Sequence, residues 1–229
     1  MAIALVTHVA AGSAAGDTIT TASINTTGAN FLVAVIADYT GQTTNISDSK
    51  TNTWTSRTAY TNGNNRVRIY YVTNPTVGTG HTFTATPALT PTPSYPSIFV
   101  ASFSSVATTT PYDVENGIGR AGVTSSLIGS VTPGADGELL IASFCNDTAG
   151  SGLSIDSSFT ILDTVARTAN HLGGSMAYFI QTTAAAINPT WSWTTSTNMA
   201  NSIAAFKASA AANISIPVAM NLFRRRRTN

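Results

Sequence analysis

Apolar and polar positions along this chain fall into short runs, and almost none has the spacing of a helix. Phe31-Leu-Val-Ala-Val-Ile36 is continuously apolar, Arg66-Val-Arg-Ile-Tyr70 alternates, and His81-Thr-Phe-Thr-Ala-Thr86 is β-branched and aromatic. Alternation of period two is the signature of a half-buried strand, and a short unbroken apolar run between turn residues suits a central strand. Asn62-Gly-Asn-Asn65 separates two such runs as a hairpin of the Asn-Gly type. Ala184-Ala-Ala186 is too short for a helix, and Pro189 follows it.

The pattern is written twice. Thr26-Thr-Gly-Ala-Asn30 and the apolar run after it recur as Thr132-Pro-Gly-Ala-Asp136 followed by Leu139-Leu-Ile-Ala142. Ile69-Tyr-Tyr-Val72 recurs as Ala177-Tyr-Phe-Ile180, and Thr82-Phe-Thr-Ala-Thr86 as Thr190-Trp-Ser-Trp-Thr194. Arg57-Thr-Ala59 returns as Arg167-Thr-Ala169, and Val100-Ala-Ser-Phe103 as Ile203-Ala-Ala-Phe206. Repeats in one order predict two related halves of about six strands each. The fold expected is all-β: an antiparallel, jelly-roll-like sandwich, single or as two abutting ones, with an extended C-terminal arm. The halves are placed at 1–105 and 123–207, with a Thr- and Gly-rich junction at 106–122 and the arm at 208–229. Each strand should bury one face and leave the other polar. Phe31–Ile36 and Leu139–Phe144 should be equivalent central strands. Leu32, Ile69, Tyr71, Phe83, Phe103, Leu140, Phe179, Trp191 and Phe206 are expected inside.

Four stretches taken together carry a resemblance: Gly28-Ala-Asn-Phe-Leu-Val-Ala-Val35, Ser47-Asp-Ser-Lys-Thr-Asn-Thr-Trp54, Arg66-Val-Arg-Ile-Tyr-Tyr71 and Ile203-Ala-Ala-Phe-Lys207. They resemble a β-sandwich module common in bacterial surface proteins and in the virion proteins of tailed bacteriophages. The resemblance spans residues 1–210. Its motifs are turns and strands, so it implies a fold first and a role second. Thr51 departs from it, standing where the turn usually has Gly.

Composition narrows the chemistry. Charged residues are only 9% of the chain, and four of the nine arginines are consecutive at Arg224 to Arg227. Without that run the formal charge of +1 becomes −3. The single cysteine, Cys145, rules out an internal disulfide, and its apolar surroundings in sequence mark it as a buried inert thiol. The first residues lack a basic n-region and read as a strand, so no export leader is expected, and no stretch approaches the ~18 apolar residues of a membrane span. The N-x-Ser/Thr sequons at Asn25, Asn45, Asn146 and Asn213 are what a Thr- and Ser-rich chain gives by chance.

Candidate sites are few. Asp113 and Glu115 would share one face of an extended segment, as the carboxylates of a glycosidase can, but at the junction they read as solvated linker charges. Asp48-Ser-Lys-Thr-Asn52 has oxygen ligands for calcium without successive acids, which favours an Asx-turn. His8, His81 and His171 have no metal-site spacing, and neither G-x-S-x-G nor a P-loop occurs. No cofactor or metal is expected. Trp193, with Tyr60 and Tyr95, is the candidate glycan-binding set, although the pairing of Trp191 with Phe83 and of Trp193 with Ala85 across the repeat favours core packing.

The function expected is non-enzymatic: a structural virion protein, a cement, decoration or tail-associated subunit, assembled in the host cytoplasm and held in the virion. Its alternative is a carbohydrate- or receptor-binding module of a phage fibre or bacterial surface protein. Ala208 to Asn213 reads as a linker. The arm that follows is expected to bind neighbouring virion proteins or further copies of the chain through Ile214, Ile216, Val218, Met220, Leu222 and Phe223. Arg224, Arg225, Arg226 and Arg227 should meet acidic side chains in preference to nucleic acid, because one short run is not the broad basic face of a nucleic-acid binder.

Overall fold

The computed structural model describes residues 1–12, 18–39, 44–87, 94–147, 152–168 and 172–210. All regular structure among them is β. The first half comprises β1 (Ala4–Gly12), β2 (Ile19–Thr20), β3 (Phe31–Tyr39), β4 (Thr44–Asp48), β5 (Thr55–Asn62), β6 (Asn65–Thr73), β7 (Phe83–Pro87) and β8 (Ser97–Ser104). They form a five-stranded sheet, β1-β8-β3-β6-β5, and a three-stranded one, β2-β7-β4, all antiparallel. The chain crosses from sheet to sheet as in a jelly roll. The exception is β5, which stays beside β6 instead of joining β4. The two-residue Gly63-Asn64 turn holds it there, Asn62 pairing with Asn65 and Gly63 supplying the positive φ of +55°.

The second half uses β9 (Tyr112–Leu127), β10 (Glu138–Asn146), β11 (Ser154–Ile155), β12 (Thr160–Val165), β13 (Gly173–Gln181) and β14 (Thr190–Phe206). Here β9 and β14 are long because each serves two layers. Their far ends give the order β9-β14-β10-β13-β12, while Thr190–Ser192 of β14 lies between β11 and the end of β9. Register breaks around Thr197, with Gly122 at φ +62° nearby on β9, mark the bend from one layer to the next. The strand order is therefore the same in both halves.

The result is three sheets, that of the second half bent into two layers, with three apolar layers between them. In the middle layer Phe31, Val33 and Val35 meet Leu139, Ile141 and Cys145. On the outer side of the first half Leu32, Ala34 and Ile36 pack on Phe83 and Ala85, and on that of the second Leu140, Ala142 and Phe144 pack on Trp191 and Trp193. Both faces of β3 and of β10 are thus buried, which is why their runs are unbroken. The expectation of one wet face per strand fails for them because another sheet lies on each side. Leu32, Ile69, Phe83, Phe103, Leu140, Trp191 and Phe206 are buried, while Tyr71 and Phe179 are partly buried against the cores.

The halves meet reciprocally. β1 lies on β12 as β9 lies on β5. Tyr71 of the first half packs on Phe206 of the second at 5.3 Å between ring centroids, and Tyr178 of the second on Phe103 of the first at 5.6 Å. The polar contacts follow suit, His8 to Asp163 at 2.7 Å on one side and Arg57 to Glu115 at 3.1 Å on the other.

Two boundaries and one repeat alignment differ from those expected. The junction at 106–122 is strand from Tyr112 on, so the second half begins before 123. Its glycines had suggested a loop, yet they are there for close approach. A Cβ on Gly117 would lie 2.6 Å from the Tyr60 ring and from the Asn201 carbonyl, and one on Gly119 would collide with the Thr61 carbonyl. Second, Val33 opposes Tyr71 where Ile141 opposes Tyr178, so Ile69 corresponds to Met176 and not to Ala177; that repeat slips by one residue. Third, the linker does not start at Ala208, which bridges to Val106, while the Ser209 amide donates to the Ser105 carbonyl.

Candidate functional site

Of the residues singled out in the sequence, the arm (Ile214, Ile216, Val218, Met220, Leu222, Phe223 and Arg224 to Arg227) lies outside the described residues, as does His171. The aromatic set is described, and it is not one patch. Trp193 is 5% exposed, its ring 4.9 Å from that of Phe144 in the outer layer of the second half. Tyr60 on β5 lies against Gly117 and the middle layer, and burial raises its pKa. Tyr95, at φ +49°, packs on Tyr39 at 6.0 Å. Trp193 cannot offer a stacking face because it is buried against Phe144.

The carboxylates are not solvated linker charges. A register shift opposite Ala204 and Phe206 separates Asp113 from Glu115, so the pair expected on one face takes different partners. Glu115 receives Arg57 through Nε at 3.2 Å and Nη2 at 3.1 Å and also the Thr58 hydroxyl, and the Arg57 guanidinium lies 3.4 Å over the Tyr112 ring. Asp113 accepts from the Gly134 amide at 2.7 Å and pairs with Lys207 at 3.3 Å. Beside it Glu138 is buried, and burial together with the Asp113 charge raises its pKa. These contacts tie strands to one another.

A second polar cluster has the order of a nucleophile triad. Thr26 Oγ1 lies 2.9 Å from His81 Nδ1, and His81 Nε2 lies 3.0 Å from Asp48 Oδ1. Asp48 also accepts from Trp54 Nε1 at 2.8 Å and, as an Asx-turn, from the Lys50 amide at 2.9 Å. Thr26 and His81 are fully buried and so is the Asp48 side chain, which leaves no place for a substrate. The cluster clamps three loops. Cys145 is likewise buried, which pushes its thiol pKa well up. Among the described residues no three His, Cys, Asp or Glu side chains converge as metal ligands would.

What remains is a cleft the sequence reading missed. The three-stranded sheet is too narrow to cover the five-stranded one, and beyond the β4 edge the outer face of β5 and β6 lies open. Asn45, Ile46, Trp54, Ser56, Arg68 and Tyr70 line a space of about 220 Å³ there. The Tyr70 hydroxyl is anchored on the Thr44 carbonyl at 2.9 Å, and Trp54 is fixed by its bond to Asp48. Arg66, next along the strand face, is taken by Asp38, whose buried carboxyl is pushed up to about 6. Among the described residues Arg68 forms no ion pair, and its Nε is buried without a hydrogen-bond partner, while its guanidinium interacts with the Tyr70 hydroxyl. In sequence, Arg66 and Arg68 looked like the wet positions of an alternating strand. Comparing the two halves position by position could have flagged Arg68 and Tyr70, had the repeat been aligned without its one-residue slip.

Comparison with known protein families, with curated proteins and with solved structures finds no match to this chain.

Proposed function

We propose that the protein is a non-enzymatic structural subunit of a bacteriophage virion, in a cement, decoration or tail-associated role, which binds its neighbours through the C-terminal arm. The observation that carries this reading is the way the body ends. The Lys207 amide donates to the Pro111 carbonyl, the Ala107 amide to the Lys207 carbonyl, and the Ser209 amide to the Ser105 carbonyl, each at 2.8 Å. An arm leaving so firmly held a point transmits a pull on its apolar stretch and arginines directly to the four-layer body. The repeated segments and the common strand order support reading that body as one jelly-roll unit written twice, a rigid block suited to load. The resemblance to virion and surface modules points the same way.

Truncation after Ala210 tests it, since an earlier stop would remove native hydrogen bonds. Sedimentation of the full and truncated chains, alone and with the assembled particle, is compared at low and high salt. The truncated body keeps its melting temperature and loses association, and the full chain's association weakens as salt screens the arginines. Equal association of the two chains would refute the arm.

A further inference from the structure

The cleft beside β4 is a binding site, and the argument begins from its counterpart in the other half. Pairing with β3 and β10 sets Arg68 against Ser175 and Tyr70 against Ala177. Pairing with β6 and β13 sets Ser56 against Ile161 and Trp54 against Phe159. On the small sheets, Ile46 corresponds to Leu153. One architecture thus carries two linings. In the second half these positions hold Leu153, Phe159, Ile161, Ser175 and Ala177, all small or apolar, and the Trp193 indole stands where the first half has Ala85. A packing defect left by the narrow small sheet would be lined in the same apolar way. The first half instead gathers an indole, a phenol, an amide, a hydroxyl and a guanidinium around an open volume.

We propose that this cleft binds a single ring of an acidic saccharide, a uronate-type sugar carrying a carboxylate. The volume, about 220 Å³, is below the ~300–1,000 Å³ of drug-sized pockets and suits one ring. Arg68, which lines the cleft, offers the terminal donors of its guanidinium to a carboxylate. Trp54, half-buried, supplies a flat apolar wall for the C–H face of the ring, while Asn45 and Ser56 face its hydroxyls. Asp38 takes its direct ion pair from Arg66, so Arg68 lines the cleft without being held by that carboxylate. The proposal goes beyond the assembly role and does not depend on the arm.

The test is a nuclear magnetic resonance titration of the full chain with methyl β-D-glucuronide, with methyl β-D-glucoside and acetate as comparison probes. Amides near 45–46, 54–56 and 68–70 shift saturably with the glucuronide, and the glucoside and acetate each bind about tenfold or more weaker, the factor expected for losing a charged hydrogen bond or the ring contacts. Arg68→Gln brings the glucuronide down to the level of the glucoside. Ser56→Ile, an exposed change that copies the second half, abolishes binding of both sugars with the melting temperature unchanged. The proposal is overturned if none of the three probes shifts these amides, if acetate binds as tightly as the glucuronide, if the two sugars bind equally, or if either variant binds like the parent.

Discussion

Phe206 is the residue on which the union of the two halves can be tested. It belongs to β14, yet its ring packs on Phe31 at 4.9 Å and on Tyr71 at 5.3 Å, both from the first half. Truncating a buried Phe to Ala costs ~3–5 kcal/mol. Two ring contacts worth ~0.5–1.5 kcal/mol each disappear with it, so Phe206→Ala should fall at the upper end of that range. Domains of this kind have ~5–15 kcal/mol in total, so the variant remains folded but unfolds at much lower urea. Tryptophan fluorescence reads the halves separately, because Trp54 is in the first and Trp191 and Trp193 are in the second. In a Trp54→Phe background only the second half reports; with Trp191 and Trp193 replaced by Phe, only the first. If the middle layer is a single core, Phe206→Ala shifts both midpoints equally, and with Phe31→Ala the coupling is ~0.5–1.5 kcal/mol. A Trp54 midpoint that stays put while the other moves would refute the shared core, and so would two separated transitions in the parent chain.

Two further outcomes follow from single residues. Asp38 is raised by burial from 3.8 to about 6 despite Arg66, so the folded state holds its proton more tightly than the unfolded one. Its contribution is fully present below pH ~4, is lost as pH rises through 6, and amounts to ~3 kcal/mol at 1.36 kcal/mol per pH unit. The difference in urea stability between the parent and Asp38→Asn should therefore change between pH 4 and 6 and be flat above; a difference independent of pH refutes it. Thr51 sits at φ +60°, where a side chain costs ~1–2 kcal/mol, so Thr51→Gly should stabilise by up to ~1 kcal/mol after the added freedom of the unfolded chain is counted. A loss of stability in thermal unfolding would show that the Thr51 hydroxyl, which donates to the Lys50 carbonyl at 2.7 Å, matters more than the strain.

The fold was legible where burial is simple. The unbroken runs at Phe31–Ile36 and Leu139–Phe144 marked the middle strands, and Asn62-Gly63 marked the hairpin. The edge strand β9 was hidden because Gly117 and Gly119, chosen to admit β5, look like loop residues. The candidate sites were harder for a related reason: a sequence reports residue types, whereas sites depend on what covers them. Trp193 looked available and is covered. Arg68 looked solvated and stands in a cleft, because β5 keeps to β6 and leaves the β4 edge uncovered, a choice no local pattern announces.

The reciprocal middle layer also governs how this chain can be divided. A fragment ending near residue 105 would retain every strand partner of its own jelly roll, yet one whole sheet face, with Phe31, Val33, Val35, Ile69 and Phe103, would stand bare. Patches of that kind are not left open on soluble monomers. Since the missing half has the same strand order, the nearest substitute for it is a second copy of the fragment, docked by the same β1-on-β5 contact twice over, as an isologous pair. The boundary between the halves is thus a seam in topology without being a seam in stability, and cutting there would turn the interior of one chain into an interface between two.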